Sequence, residues 1–74
     1  MNFIAQIESQ GYRVIGGERR MLEAFCLGRP VITSVEGKPM RIELRGEVVT
    51  VSSARAGERV NEGIQLEAAQ ALQS

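Results

Sequence analysis

The chain contains no histidine, no tryptophan and a single cysteine, Cys26, and aromatic residues make up only 4% of its 74 residues. One cysteine cannot form a disulfide within the chain, and without histidine it cannot complete the four ligands of a structural zinc site. The side chain that most often serves as a general acid or base is missing. Few aromatic rings are present to stack on nucleic-acid bases. The composition therefore predicts a protein without a cofactor or a bound metal, and it argues against an enzyme.

The sequence also lacks an excess of charge and any long hydrophobic run. Nine basic and nine acidic residues give a net charge of zero, and no apolar run approaches the roughly 18 residues of a membrane span. Residues 1–6 have neither the basic start nor the long apolar core of a signal peptide. These absences predict a cytoplasmic protein that has no membrane partner.

What is present is the composition of an ordinary globular domain, with 43% hydrophobic and 24% charged residues. We expect residues 1–74 to form one small α+β domain. A chain of this length buries only about 60% of the surface that its unfolded form exposes, so self-association would add stability. Nearly all of the basic residues are arginine, whose planar guanidinium favours paired contacts with carboxylates or phosphates.

The clearest structural pattern is a β-hairpin with strands at about 40–45 and 48–53. Apolar and polar residues alternate along the first strand, which is the period of a half-buried strand. Gly46-Glu47 forms a two-residue turn with glycine at the first central position. The turn sets apolar residues opposite each other, in the pairs Leu44 with Val49 and Ile42 with Val51.

Residues 31–35 alternate in the same way and add a third strand, which completes an antiparallel meander. Pro39 cannot donate the hydrogen bond that would close a two-residue turn at Gly37-Lys38, so we expect a four-residue loop over 36–39. Val35 then lies opposite Met40. In this register the three strands share one apolar face, which consists of Val31, Thr33, Val35, Met40, Ile42, Leu44, Val49 and Val51.

A helix over 18–27 is strongly indicated, because good helix formers follow the Gly16-Gly17 break and Gly28 ends the run. Four residues define the side of this helix that should face the sheet, namely Met21, Leu22, Phe25 and Cys26. Since Cys26 lies far from the helix N-terminus and has no paired base to activate it, we expect a buried, unreactive thiol. A redox sensor or enzyme that depends on Cys26 is the least favoured functional class.

Two further helices are expected. One covers 62–73, capped by Asn61, and packs its apolar side on the sheet. A shorter helix covers 3–10 between Asn2 as N-cap and Gly11 as the C-terminal glycine, with a strand over 3–7 as the alternative. Residues 12–15 can add a short fourth strand, and residues 52–61 have the composition of a surface loop.

The face of the meander opposite the core is polar and free of other predicted elements. Its candidate protein-binding residues are Arg41, Glu43, Arg45 and Thr50. This face, or an open strand edge, indicates a small non-enzymatic interaction or regulatory module. Its expected partner is another protein or a second copy of the chain.

Weak nucleic-acid binding is the alternative function. The Gly16-Gly17 turn precedes a helix N-terminus, where free backbone amides can hold an anion. The candidate anion or nucleic-acid contacts are Arg13, Arg19 and Arg20, which Arg41 and Arg45 could join. The turn lacks the Gly-Lys-Ser/Thr ending of a P-loop, and Glu18 adds a negative charge beside it. The zero net charge also makes nucleic acid less favoured than protein, and no motif identifies a family.

Overall fold

The computed structural model describes residues 2–69 and has an α+β fold, as the sequence predicts. Its elements are α1 (Phe3–Ser9), β1 (Tyr12–Gly16), α2 (Glu18–Cys26), β2 (Val31–Val35), β3 (Lys38–Arg45), β4 (Val48–Ser53) and β5 (Gln65–Ala68). Strands β2, β3 and β4 form a three-stranded antiparallel sheet in that order, and β1 pairs with β5 in a second sheet. The three-stranded meander is therefore confirmed.

The β3–β4 hairpin has the register that its sequence predicts. Arg45 pairs with Val48 across the two-residue turn, and Gly46 has the positive φ of 63° that glycine permits at the first central position. Both apolar pairs, Leu44 with Val49 and Ile42 with Val51, are observed.

The turn between β2 and β3 differs from the predicted four-residue loop. Glu36 and Gly37 form a two-residue turn with φ values of 52° and 79°, which is the pattern of a type I′ turn. The turn lies one residue earlier than the one that Pro39 disfavours, and Pro39 pairs with Ser34, at a position that needs no amide bond to β2. The predicted pairing is wrong by two residues, and this even shift leaves every side chain on its predicted face.

The predicted helix over 62–73 is wrong in its described part, because Gln65–Ala68 is a strand that pairs antiparallel with β1. Residues 64–68 alternate apolar and polar side chains and so suit a strand as well as a helix. Pairing with β1 decides between them, and it sets Arg13 opposite Glu67. The predicted strand over 12–15 exists, but it joins β5 and not the meander. Residues 70–73 of the predicted helix lie outside the described residues.

The core lies between the apolar face of the meander, the two helices and β5. Its fully buried side chains are Ile7, Met21, Val31, Thr33, Ile42 and Val49. Phe3 of α1 packs edge to face on Phe25 of α2, with ring centroids 5.4 Å apart. On α2, Met21 and Phe25 are buried, whereas Leu22 and Cys26 are exposed. The predicted apolar stripe was too wide, because at 100° per residue these two lie outside the arc that faces the sheet.

The short helix α1 is confirmed in place of the alternative strand. Asn2 caps it as predicted, since the Ala5 amide donates to Asn2 Oδ1 at 3.1 Å. Gly11 follows the helix with φ 101°, and its amide donates to the Glu8 carbonyl oxygen at 3.0 Å. This left-handed glycine ends α1 and starts β1.

Candidate binding site on the outer sheet face

The outer face of β3 and β4, opposite the core, brings the four predicted binding residues together. Arg41, Glu43 and Arg45 alternate along β3, and Thr50 of β4 pairs with Glu43. Val48 pairs with Arg45 at the end of the hairpin. Val48 is 58% exposed, so this face presents one apolar side chain among its polar ones.

Arg41 is held by two carboxylates. Its Nη2 donates to Glu43 Oε2 at 3.1 Å, and its Nη1 donates to Glu58 Oε2. The Arg41 side chain is only 13% exposed. Its Nε is buried and has no acceptor among residues 2–69. Arg41 is therefore committed to contacts within the chain, unlike the free binding residue that its outward position predicts.

Glu58 is a site residue that the sequence pattern does not reveal. It belongs to the irregular segment between β4 and β5, and its Oε1 accepts a hydrogen bond from the Arg55 amide at 2.7 Å. One carboxylate therefore closes a turn in this segment and also anchors the segment to Arg41. No local spacing relates Glu58 to a strand residue 17 positions earlier, so only the folded chain shows the contact.

Arg45 and Arg55 leave their guanidinium groups accessible. Arg45 is 76% exposed, and its Nη2 lies 3.7 Å from Glu43 Oε2. Arg55 is exposed, forms no ion pair within residues 2–69, and lies close enough for its charge to act on Glu43. We call Arg41, Glu43, Arg45, Arg55 and Glu58 the outer-face cluster. Three arginines against two glutamates leave it one net positive charge in a chain whose net charge is zero.

The cluster shifts the titration of its own members. The hydrogen bond from Arg41 lowers the pKa of Glu43 below its ordinary value, and the charges of Arg41, Arg45 and Arg55 act in the same direction against the effect of burial. The hydrogen bond to Glu43 in turn raises the pKa of Arg41. Both shifts favour the charged forms that make the cluster.

This shift predicts how stability changes in acid. The folded-state pKa of Glu43 lies below the ordinary value of 4.5, so its contribution is present above pH 4.5 and is lost as the pH falls through the folded-state pKa. We expect Glu43→Gln to flatten the fall of melting temperature below pH 4.5, measured by circular dichroism. Glu8→Gln, at an exposed position on α1, is the control, and identical acid limbs in the two variants would contradict the assignment.

The outer edge of β4 is already occupied by side-chain amides from α1. Gln6 donates to the Glu47 carbonyl at 2.8 Å and accepts from the Val49 amide at 2.9 Å. Gln10 donates to the Val49 carbonyl at 2.8 Å and accepts from the Val51 amide at 3.3 Å. The two glutamine side chains, one helical turn apart, therefore supply the donors and acceptors that a neighbouring strand would supply. Along 47–51 this edge is not open to a partner.

The outer edge of β2 is occupied at Ile32. The Ile32 amide donates to Asn61 Oδ1, and the Asn61 amide donates to the Ile32 carbonyl oxygen, both at 2.7 Å. Next to it, the buried Thr33 hydroxyl donates to the Ile64 carbonyl oxygen at 3.0 Å. The prediction that Asn61 caps a helix is wrong, because Asn61 instead ties the irregular segment to the sheet.

The three arginines predicted as anion contacts lie on two elements, Arg13 on β1 and Arg19 and Arg20 on α2. Arg13 pairs with Glu67 at 3.4 Å across the two-stranded sheet. Arg20 donates to the Glu62 carbonyl oxygen at 3.4 Å, and Arg19 is exposed on α2. Arg13 and Arg20 thus already have partners within residues 2–69, and anion binding by the three arginines stays a prediction.

The Gly16-Gly17 turn has a packing role that requires glycine at its second position. Gly17 is the N-cap of α2 with φ 87°, and a Cβ at this position would overlap the Gly63 carbonyl oxygen. The backbone of the irregular segment thus approaches the start of α2 more closely than any side chain at Gly17 would allow.

Three other features of residues 2–69 bear on the expectations from the sequence. The expectation that Cys26 is buried is wrong, since the thiol is exposed. No group of three His, Cys, Asp or Glu side chains in this part of the chain is arranged to hold a metal ion. Within the same residues, no helix is long and apolar enough to cross a membrane.

No protein-family model matches the chain, and no curated protein or solved structure is detectably similar to it. Its function has therefore to be inferred from the chemistry of its own surface.

Proposed function

We propose that the chain is a small non-enzymatic interaction module that acts in the cytoplasm and binds another protein through the outer face of the β3–β4 hairpin. One observation carries the proposal. An exposed arginine, Arg45, lies beside an exposed apolar side chain, Val48, on a hairpin whose base is tied down by the Arg41 ion pairs. Arginine is among the residues enriched at the positions that contribute most to protein interfaces, and the exposed apolar side chain beside it adds area that a partner can bury.

The occupied strand edges support the face as the binding surface. Gln6, Gln10 and Asn61 already use backbone groups at the edges of the meander, so adding a partner strand there would first have to break these hydrogen bonds. The side chains of Arg45, Val48 and Thr50 can contact a partner without disturbing any of them.

The test is a comparative pull-down from the native host, after nuclease treatment and at moderate salt. We expect the wild type and the control Arg19→Glu to retain the same protein, and Arg45→Glu with Thr50→Asp to retain about tenfold less of it. Arg19 is a matched control because it is an exposed arginine on a different element. Equal retention by all three proteins, or no retained protein together with a monomeric mass, would exclude the proposal.

A further inference from the structure

We propose that the partner binds through an acidic segment, that Arg45 and Arg55 hold its carboxylates, and that the negative charge of Glu58 opposes this binding. The inference rests on the proposed function, because it concerns the same outer face. It adds the chemistry of the partner and a contact residue, Arg55, that belongs to neither predicted set.

The charge of the cluster favours a negative partner. Arg45 forms an ion pair with Glu43, in which Nη2 lies 3.7 Å from Oε2, beyond hydrogen-bonding distance. Glu43 is hydrogen-bonded to Arg41. The Arg55 amide donates to Glu58, whose other carboxylate oxygen accepts from Arg41. Arg45 and Arg55 therefore both adjoin groups that are bound to Arg41, and Arg55 forms no ion pair within residues 2–69. An incoming carboxylate would meet arginine donors that make no hydrogen bond to a carboxylate of the described residues, together with a net positive charge.

Glu58 is an example of a carboxylate bound at this face. Its two oxygens accept hydrogen bonds from Arg41 Nη1 and from the Arg55 backbone amide. Glu58 is 21% exposed, and its segment is also held by the hydrogen bonds of Asn61 to Ile32. A partner therefore binds beside Arg41, which is already bound to Glu43 and Glu58, and the negative charge of Glu58 opposes the binding of an acidic partner.

The exposed Val48 beside Arg45 indicates which residue types accompany the carboxylates of the partner. Val48 is exposed directly across from Arg45, so a carboxylate on Arg45 brings the adjoining residues of the partner over Val48. The segment that fits best carries acidic residues on both sides of an aliphatic one. A nucleic acid would satisfy the arginines but would leave Val48 uncovered.

The probe is the peptide Glu-Glu-Leu-Glu-Glu, titrated into isotope-labelled protein at low salt and followed by the arginine side-chain and backbone signals. We expect shifts at Arg45, Arg55 and Val48. Arg45→Gln combined with Arg55→Gln should weaken binding about tenfold, and the control Arg19→Gln should change it less than about twofold. Glu58→Gln should tighten binding about two- to fivefold, unlike Glu8→Gln, which removes the same charge from α1.

Three outcomes would overturn the inference. They are equal binding of the neutral peptide Gln-Gln-Leu-Gln-Gln, loss of affinity that is the same for all arginine variants, and tighter binding of an oligothymidine than of the acidic peptide at the same residues. If the peptide fails while pull-down retention still depends on Arg45 and Thr50, only the acidic partner is excluded. If the outer-face variant retains as much protein as the wild type, the proposed function itself fails.

Discussion

Gly17→Ala is expected to lower the melting temperature by about 10 °C or more, or to prevent folding. Gly17 has φ 87°, a region in which a side chain costs about 1–3 kcal/mol. A Cβ there would also overlap the Gly63 carbonyl oxygen and lie 2.6 Å from the Ile64 Cα. For a domain of this size, each kcal/mol lost lowers the melting temperature by about 4–8 °C.

The atoms that would clash cannot move independently. Gly63 and Ile64 belong to the backbone that joins Asn61, bonded to Ile32, to the start of β5. The Ile64 carbonyl oxygen also accepts a hydrogen bond from the Thr33 hydroxyl, and the Ile64 side chain is buried in the core. Making room for a methyl group at Gly17 therefore disturbs contacts on both sheets.

The adjacent glycine supplies the control. A Cβ on Gly16 would meet no atom within 4 Å, and its φ is not positive, so Gly16→Ala should be neutral or stabilise by up to about 1 kcal/mol. Gly17→Asn separates the two causes, since asparagine tolerates positive φ but still carries a Cβ. Thermal unfolding of the three variants measures the effect, and similar melting temperatures for Gly16→Ala and Gly17→Ala would refute the close approach.

The features that the sequence predicts well are those that neighbouring residues decide. The Gly46-Glu47 turn, the Asn2 cap and the apolar face of the meander depend on residue types within a few positions of each other. The segment over 65–68 is different, because its pattern suits two structures and the choice depends on β1, about 50 residues away. Local preference alone could not make that choice.

The candidate site likewise has a part that local sequence predicts and a part that it does not. Alternation along β3 and β4 suffices to put Arg45 and Thr50 on the outer face. It does not reveal that Arg41 is occupied by Glu58, because that contact depends on the path of an irregular segment. Irregular backbone has no period from which a sequence pattern could predict its side-chain contacts. Arg55 lies in the same irregular segment, so the pattern does not predict its place in the outer-face cluster either.

Replacing both Gln6 and Gln10 by methionine is expected to destabilise the protein by about 2.5–7.5 kcal/mol and to open the edge of β4. Methionine keeps the length and flexibility of the side chain but removes the four hydrogen bonds to residues 47–51 and the one from Gln10 to the Gln6 carbonyl oxygen. Each of these bonds has a net contribution of about 0.5–1.5 kcal/mol. Because an unpaired edge can pair with another chain, the double variant should also associate with increasing concentration.

Amide exchange resolves the effect residue by residue. In the register of the hairpin, Val49 and Val51 point their amides away from β3, so Gln6 and Gln10 are their acceptors. Gln6→Met should therefore speed exchange at Val49, and Gln10→Met should speed it at Val51, each by about tenfold or more relative to Thr50.

The Thr50 amide is the internal reference for both variants, because it faces Glu43 in the β3–β4 ladder and reports opening of the sheet as a whole. A uniform rise in exchange at positions 49, 50 and 51 would mean that the glutamines contribute only to global stability. If each substitution releases only its own amide, then the side chains of Gln6 and Gln10 pair with β4 as a strand does.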